Sequence, residues 1–503
     1  MSRRLPIPAS PSLAPLAAAA LLLTAAACDD EPLTEALPPP PPIELAIVSP
    51  EPGSTFLKDH DIVLLATATA ADLGALSDDS VQWSVDGEPL SRGSSHTVRL
   101  APGEHVLEVV ARYGKRSAAE TTTVAVDEVP VGTVLWRSNL GVWDFAGLSA
   151  GSDGTLYVQE STSELLALRP DGTLLARRSD LPGPLGEHPP MLLPDGSVFL
   201  GTFSGVLALG PDGLVRWEYQ TAGMGTGPYA HVHGGVAVGE DGTVYFGTEN
   251  YEGIAVALWP DGTERWVTTV LDGEQASSDE WQFFGAPVLV GDSLVVLVEM
   301  DGRGVVGLDA SSGAVKWRWE SGNSANGAQL LAAVAANGDV VVALRRQLVR
   351  IDPAGNLVWA VDGLPHWFEA GPNAPAIAGG RIYVPAAGGV HVYEADGSYA
   401  TALGSPGAPG GAVTVGRGGV IYALDHDTLR SFAPDGTLRY ELSISSERGS
   451  FVAPSGPVLA ADGTVFVHSG SDGVIAVTDT VGPSPDAEWP TTGGGFSRLG
   501  RRH

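Results

Sequence analysis

The side chains able to do chemistry are few and scattered. Cysteine occurs once, at position 28, so neither an internal disulfide nor a cysteine zinc cluster can form. His231 and His233 flank Val232. On a strand this puts two imidazoles on one side, too few for a closed metal site. Asp425, His426 and Asp427 fall between two β-rich stretches and read as a polar turn. The glycines of GGGFSRLG (493–500) precede no helix, which argues against a phosphate loop. No H-E-x-x-H or EF-hand loop occurs. On these residues the sequence names no catalytic group, no metal ligand and no cofactor.

Composition narrows the classes further. Of 503 residues, 59 are acidic and 28 are Lys or Arg, a formal charge of −31. Nucleic-acid binding leaves a basic footprint, so this balance argues against it. With 44% apolar and 17% charged residues the chain can bury cores. Its 65 glycines and 38 prolines suit short strands and turns rather than helices.

The first residues read as an export signal, residues 1–27. Arg3 and Arg4 are followed by Leu13–Ala27, which is apolar or small apart from Thr24 and broken by Pro15. That run is too short to span about 30 Å of hydrocarbon as a helix. Cys28 follows Ala25-Ala26-Ala27 and precedes Asp29-Asp30. The arrangement resembles a bacterial lipobox, with Ala25 where leucine is usual. The resemblance implies lipidation at Cys28 and a lipid-anchored protein of the bacterial cell envelope, periplasmic or surface-exposed, or a secreted one. Residues 28–42 form a linker in which five consecutive prolines, 38–42, favour a stiff polyproline II spacer.

Residues 43–128 alternate with period two. Val81, Trp83 and Val85 share one strand face, and Leu107, Val109 and Ala111 repeat the pattern. Turn signals at Pro52-Gly53, Asp86-Gly87, Pro102-Gly103 and Gly114 divide the segment into about seven strands. SPEPGSTF, QWSVDGEPL and APGEHVLEVVARYG resemble a bacterial Ig-like domain, with Trp83 as the core tryptophan of a small β-sandwich.

Internal repeats organise residues 129–481. A turn followed by a β-rich heptamer recurs eight times, from SDGTLYV (152–158) to ADGTVFV (461–467), at spacings of 38 to 51 residues. A strand, a turn and another strand follow most copies, as in VLALGPDGLVRW. Each unit is then four strands, A innermost to D outermost, and eight units make an eight-bladed, all-β propeller. Seven D strands are expected to begin at Thr173, Leu214, Thr263, Ala314, Asn356, Ser398 and Thr437. The eighth is TVLWRS (133–138), which should close the ring by joining the last blade. The fourth D-strand residue reads Trp136, Ala176, Trp217, Trp266, Trp317, Trp359, Thr401 and Tyr440, so the five tryptophans are assigned to packing between blades.

LDASSGAVKW (308–317) and IDPAGNLVW (351–359) resemble the repeat of the PQQ-like, quinoprotein-type propeller family. The tail (482–503) carries EWPTTGGGFSRLGR, similar to the Trp-Pro and Gly-Arg segment that often flanks such repeats. The resemblance implies either a binding scaffold or a quinone enzyme with a cofactor clamp. Many of those enzymes use adjacent cysteines, calcium and an Asp base, and here the sole cysteine is the lipid site. The architecture is also similar to that of propeller lipoproteins of outer-membrane protein assembly, which lack the Ig-like domain, so a role in barrel assembly is not implied.

Three D–A loops are long and aromatic: 222–235, 271–287 and 362–375. Short loops would suffice to join blades. Tyr229, His231, His233, Trp281, Phe283, Phe284, Trp367 and Phe368 are therefore candidates for a protein or glycan partner, or else they plug the channel mouth. The reading is a lipid-anchored, non-catalytic binding scaffold without cofactor or nucleic acid; the alternative is an extracytoplasmic quinoprotein-type oxidoreductase or other propeller enzyme.

Overall fold

The computed structural model describes residues 40–58, 61–138, 140, 147–160, 164–181, 188–225, 230–232, 234–249, 252–270, 284–299, 304–321, 332–344, 347–364, 374–404, 412–425, 428–444, 456–469, 473–485 and 487. Among them the chain is all-β, with two short 3-10 turns and no α-helix.

Between Ile43 and Asp127, nine strands form two sheets, two strands more than the turn signals divide. Thr55–Leu57 and Gly74–Ala75 are too short to carry an alternating pattern of their own. Ile62–Ala70 alternates buried and exposed along all nine residues, as a half-buried strand must. Its inner face meets Val81, Trp83, Leu107 and Val109 in one core, with Trp83 fully buried at the centre.

Eight four-stranded sheets follow. Blade 1 comprises Gly147–Ala150, Leu156–Glu160, Glu164–Leu168 and Leu174–Arg178. Blades 2 to 7 occupy 191–220, 236–269, 288–320, 332–362, 376–403 and 412–443. The middle strands are buried on both faces, as in VFLGT (198–202) and GVLAL (205–209). Each blade needs a neighbour on either side to cover it. Blade 8 supplies the last cover: Val458–Leu459, Val465–Ser469 and Gly473–Val477 take Val134–Arg137 as their outer strand, with Trp136 opposite Ala476. Leu148 and Leu166 of blade 1 share a core with Phe466 and Val474 of blade 8, so the ring is closed.

The A–B and C–D turns lie on one face and repeat a single device. Asp171 accepts the Thr173 N–H at 2.8 Å, and Asp153, Asp241, Asp261 and Asp462 do the same two residues ahead of themselves. The glycine between them adopts positive φ, as at Gly172 (φ 84). Because that N–H is spent on the aspartate, Thr173 belongs to the turn. Most of the D strands accordingly begin one residue later than the repeat pattern places them, at Leu174, Val215, Glu264, Val315, Leu357, Tyr399 and Leu438.

The tryptophans join blades through these turns. The indole N–H of Trp217 in blade 2 donates to the Pro260 carbonyl in the C–D turn of blade 3, at 3.0 Å. Trp136, Trp266, Trp317 and Trp359 reach Pro170, Ala310, Pro353 and Ala395 in the same way, at 2.9 to 3.1 Å. Each ring lies against the turn glycine, where a Cβ would not fit; on Gly355 it would stand 2.4 Å from Trp317 Cγ. The junction of blades 1 and 2 has Arg178 donating to the Gly213 carbonyl instead, and that of 6 and 7 has Leu403 beside Gly436.

Between blades 7 and 8 the turn is assembled from two distant stretches. Gly132 donates to the Thr478 carbonyl at 2.8 Å, and Thr478 donates to the Thr133 carbonyl at 2.8 Å. Those are the bonds that Gly172, Arg169 and Thr173 make within a continuous turn of blade 1. Tyr440 occupies the tryptophan position, its ring against Gly132. Beneath it Arg439 holds the fully buried Asp479 through two hydrogen bonds of 2.8 Å. Burial pushes the Tyr422 and Tyr440 hydroxyls far above the usual tyrosine range.

Candidate functional site

The B–C and D–A segments open on the opposite face, where turns give way to loops of unequal length. Two of the long D–A loops rise from stems fixed by buried hydrogen bonds. At the 2/3 junction the Thr221 hydroxyl donates to the Ala230 carbonyl, and Val232 N–H donates to the Thr202 carbonyl at 3.1 Å. His231 pairs with Glu249 across the next blade, Glu249 N–H donating to the His231 carbonyl at 2.7 Å. The His231 ring lies 3.4 Å from the Glu249 carboxylate and stacks on Phe203 with centroids 4.7 Å apart.

The 3/4 junction repeats the plan with a stronger charge pair. Glu299 occupies the position of Glu249 one blade on, 4% exposed, and accepts from Arg318 at 2.7 Å. Arg318 also donates to the Val270 carbonyl at 2.5 Å, where the first stem ends. On the other stem Gly285 N–H donates to the Val298 carbonyl at 3.0 Å. A carboxylate at this depth needs a cation partner, and Arg318 supplies it while tying the stems together.

Phe284 is not a partner anchor. It is 2% exposed and packs with Tyr245, Trp266 and Leu297, seated where Gly247 leaves no side chain in the way. Its aromatic spacing belongs to the core beneath the loop. His231 is half-buried at the rim of this face. Tyr229, His233, Trp281, Phe283, Trp367 and Phe368 lie outside the described residues, as does Cys28.

Sequence reasoning missed the buried polar groups of this face, Glu249 and Glu299, with Gln159 and His188 near the start of the ring and His468 near its end, and the half-buried Arg318 that pairs with Glu299. A signal existed for two of them. A glutamate stands just past the B strand in blades 3 and 4, two residues after Gly247 in TVYFGTE and directly after Val298 in LVVLVE. His468 is 2% exposed, neither ring nitrogen has a hydrogen-bond partner, and burial lowers its pKa to about 4. Imidazole–carboxylate contact at this face is thus limited, among the described residues, to His231 and Glu249, and no serine or cysteine nucleophile stands with them. No three His, Cys, Asp or Glu side chains among the described residues converge as metal ligands.

Comparison with known proteins follows this architecture. The family model described as outer membrane protein assembly factor BamB matches residues 119–303, 202–362, 271–401 and 301–494. The model of the penicillin-binding protein C-terminus family matches residues 40–133. No curated protein matches the chain. Among solved structures, BamB from Moraxella catarrhalis superposes with a TM-score of 0.51 at 15% identity, covering 69% of this chain and 99% of that one. The C-terminal WD40 domain of Sif2 gives 0.53 at 12% identity, over 71% and 99%. At such identities both likenesses concern the fold alone.

Proposed function

We propose that this chain, which belongs to the BamB outer membrane assembly factor family, is a lipid-anchored protein-interaction scaffold of the cell envelope that binds partners through its D–A loop face. The observation that carries the reading is the pair of fixed stems at the 2/3 and 3/4 junctions. Buried bonds from Thr221, Glu249, Glu299 and Arg318 hold the bases of two long loops on adjacent blades. A rigid base lowers the ordering cost of binding. Family membership supports an envelope setting and protein partners, and the export signal with Cys28 supports an anchor there. Function is non-catalytic on this reading.

The anchors are Trp281, Phe283 and Trp367. Changing all three to alanine should leave the unfolding temperature in place and abolish capture of partners from a solubilised envelope extract. A single hot-spot truncation costs at least ~2 kcal/mol, roughly thirtyfold in affinity. A variant that melts like wild type and captures every partner sinks the assignment of this face. Labelling with a radioactive fatty acid in wild type but not in Cys28→Ser tests the anchor separately.

A further inference from the structure

We propose that the linker-side end of the Ig-like domain is a contact surface for an anionic phospholipid membrane. The hairpin of Gly103–Tyr113 and Arg116–Asp127 turns at Gly114 and Lys115. Its tip reads ARYGKRS, three cations in five residues of a chain whose formal charge is −31. Most arginines of the propeller are held by carboxylates, such as Arg318 by Glu299, Arg350 by Asp339 and Arg439 by Asp479. Arg112 and Lys115 are different: both are exposed, and neither has a partner among the described residues. Tyr113 beside them is 47% exposed, with the Arg116 guanidinium over its ring at 5.4 Å.

Arg116 also fixes where this tip points. It donates to the Pro41 carbonyl at 2.9 Å and to Asp72 at 2.7 Å. Pro41 is where the linker enters the domain, and Asp72 stands beside Leu73, 41% exposed. Linker entry, apolar Leu73 and the basic tip therefore share one end. The chain leaves at the other end: Arg116–Asp127 runs 12 residues away, roughly 40 Å at about 3.3 Å per residue. The anions at this end are Glu44, Asp72, Asp78 and Asp79, the last two just before Val81, which pairs with Ala111; Asp72 is paired with Arg116, Asp78 accepts from Ser94, and Arg92 donates to the Asp79 carbonyl. Two free cations, a tyrosine and a leucine make the mixture that settles at a charged lipid–water boundary.

The occupant follows from length. Residues 28–39 separate Cys28 from the domain, a reach of at most about 40 Å even fully extended. A domain tethered so closely presents this end to the bilayer, where exposed cations act on lipid charge within the Debye length of about 10 Å at 0.1 M salt. The inference uses the anchor only to raise local concentration, so its test dispenses with the anchor.

The chain from Asp29 onward keeps every described residue and can be floated with vesicles at millimolar lipid in 0.1 M salt. Binding is expected to vesicles of 30% phosphatidylglycerol in phosphatidylcholine and not to phosphatidylcholine alone. Arg112→Ala with Lys115→Ala should lower the partition coefficient roughly thirtyfold, about fivefold per cation, at an unchanged unfolding temperature. Equal binding by variant and wild type, or no flotation on anionic vesicles, overturns the proposal. Retention on purified peptidoglycan sacculi in place of vesicles overturns it too, and assigns the tip to a wall polymer. None of these outcomes bears on the D–A loop face.

Discussion

Of the fastenings between neighbouring blades, two kinds differ most. Five junctions use a half-buried or buried tryptophan laid on the next turn glycine, with its N–H on the adjoining carbonyl. The junction of blades 7 and 8 uses Tyr440 on Gly132 and a fully buried carboxylate held by Arg439. The first kind gains from apolar contact and one neutral hydrogen bond, and loses little more than these when cut. The second stakes the ring on a charge out of water, whose desolvation is repaid only while its partner stays. Identical architecture thus rests on interactions that fail in different ways.

The largest effect should come from Arg439→Ala. It strands the Asp479 carboxylate, and breaking a buried pair this way costs about 3–5 kcal/mol. Chemical denaturation should show it, and replacing both residues by leucine should recover most of the loss. If the single variant is as stable as wild type, the seam is not held by charge.

Acid should act next, on the closing blade itself. His468 lies in blade 8, on the strand whose Phe466 packs against blade 1. Its folded pKa is about 4 against an ordinary 6.5. As pH falls from 6.5 to 4, the unfolded chain takes up a proton that the folded chain refuses. Stability therefore falls over that window, by about 3 kcal/mol at its lower end. His468→Leu should flatten this part of the pH–stability curve. A wild-type curve already flat between pH 6.5 and 4 breaks the claim of an acid-sensitive closing blade.

The smallest of the three should be Trp317→Ala. Truncating a fully buried tryptophan costs about 3–5 kcal/mol; this ring is half-buried, so about 2 kcal/mol is expected, with no dependence on pH between 4 and 7. Denaturation of the variant at both pH values checks it. A loss as large as that of Arg439→Ala would mean that the two fastenings are equivalent.

The repeat made most of this architecture readable. Strand, Asp-Gly turn and tryptophan recur because the same backbone hydrogen bonds are made in each blade, so period and composition alone locate sheets, turns and the closing strand. What escaped was set by neighbours remote in sequence. Phe284 reads as an exposed loop aromatic until Gly247, in the preceding blade, is seen to leave it a seat. Arg318 reads as one more surface cation of an alternating strand until Glu299 is found beside it. Asp479 follows the last strand like an ordinary turn residue, and only Arg439, 40 positions earlier, makes it a buried ion. No local pattern encodes these pairings, because they form between blades and not within them.

The split turn of blade 8 also dictates an order of events. Gly132 and Thr133 are made early, but Thr478, their hydrogen-bond partner, is 345 positions later than Thr133. At 5–20 residues per second, ribosomal synthesis separates the two by roughly 20–70 seconds. Throughout that interval the Val134–Arg137 segment has no sheet to join, and seven blades can assemble while the ring stays open. Completion therefore falls to the last stretch made, and a chain released short of residue 473 retains a gap with two unmatched blade faces. Molecules cut short there would carry seven sound blades yet aggregate through those faces.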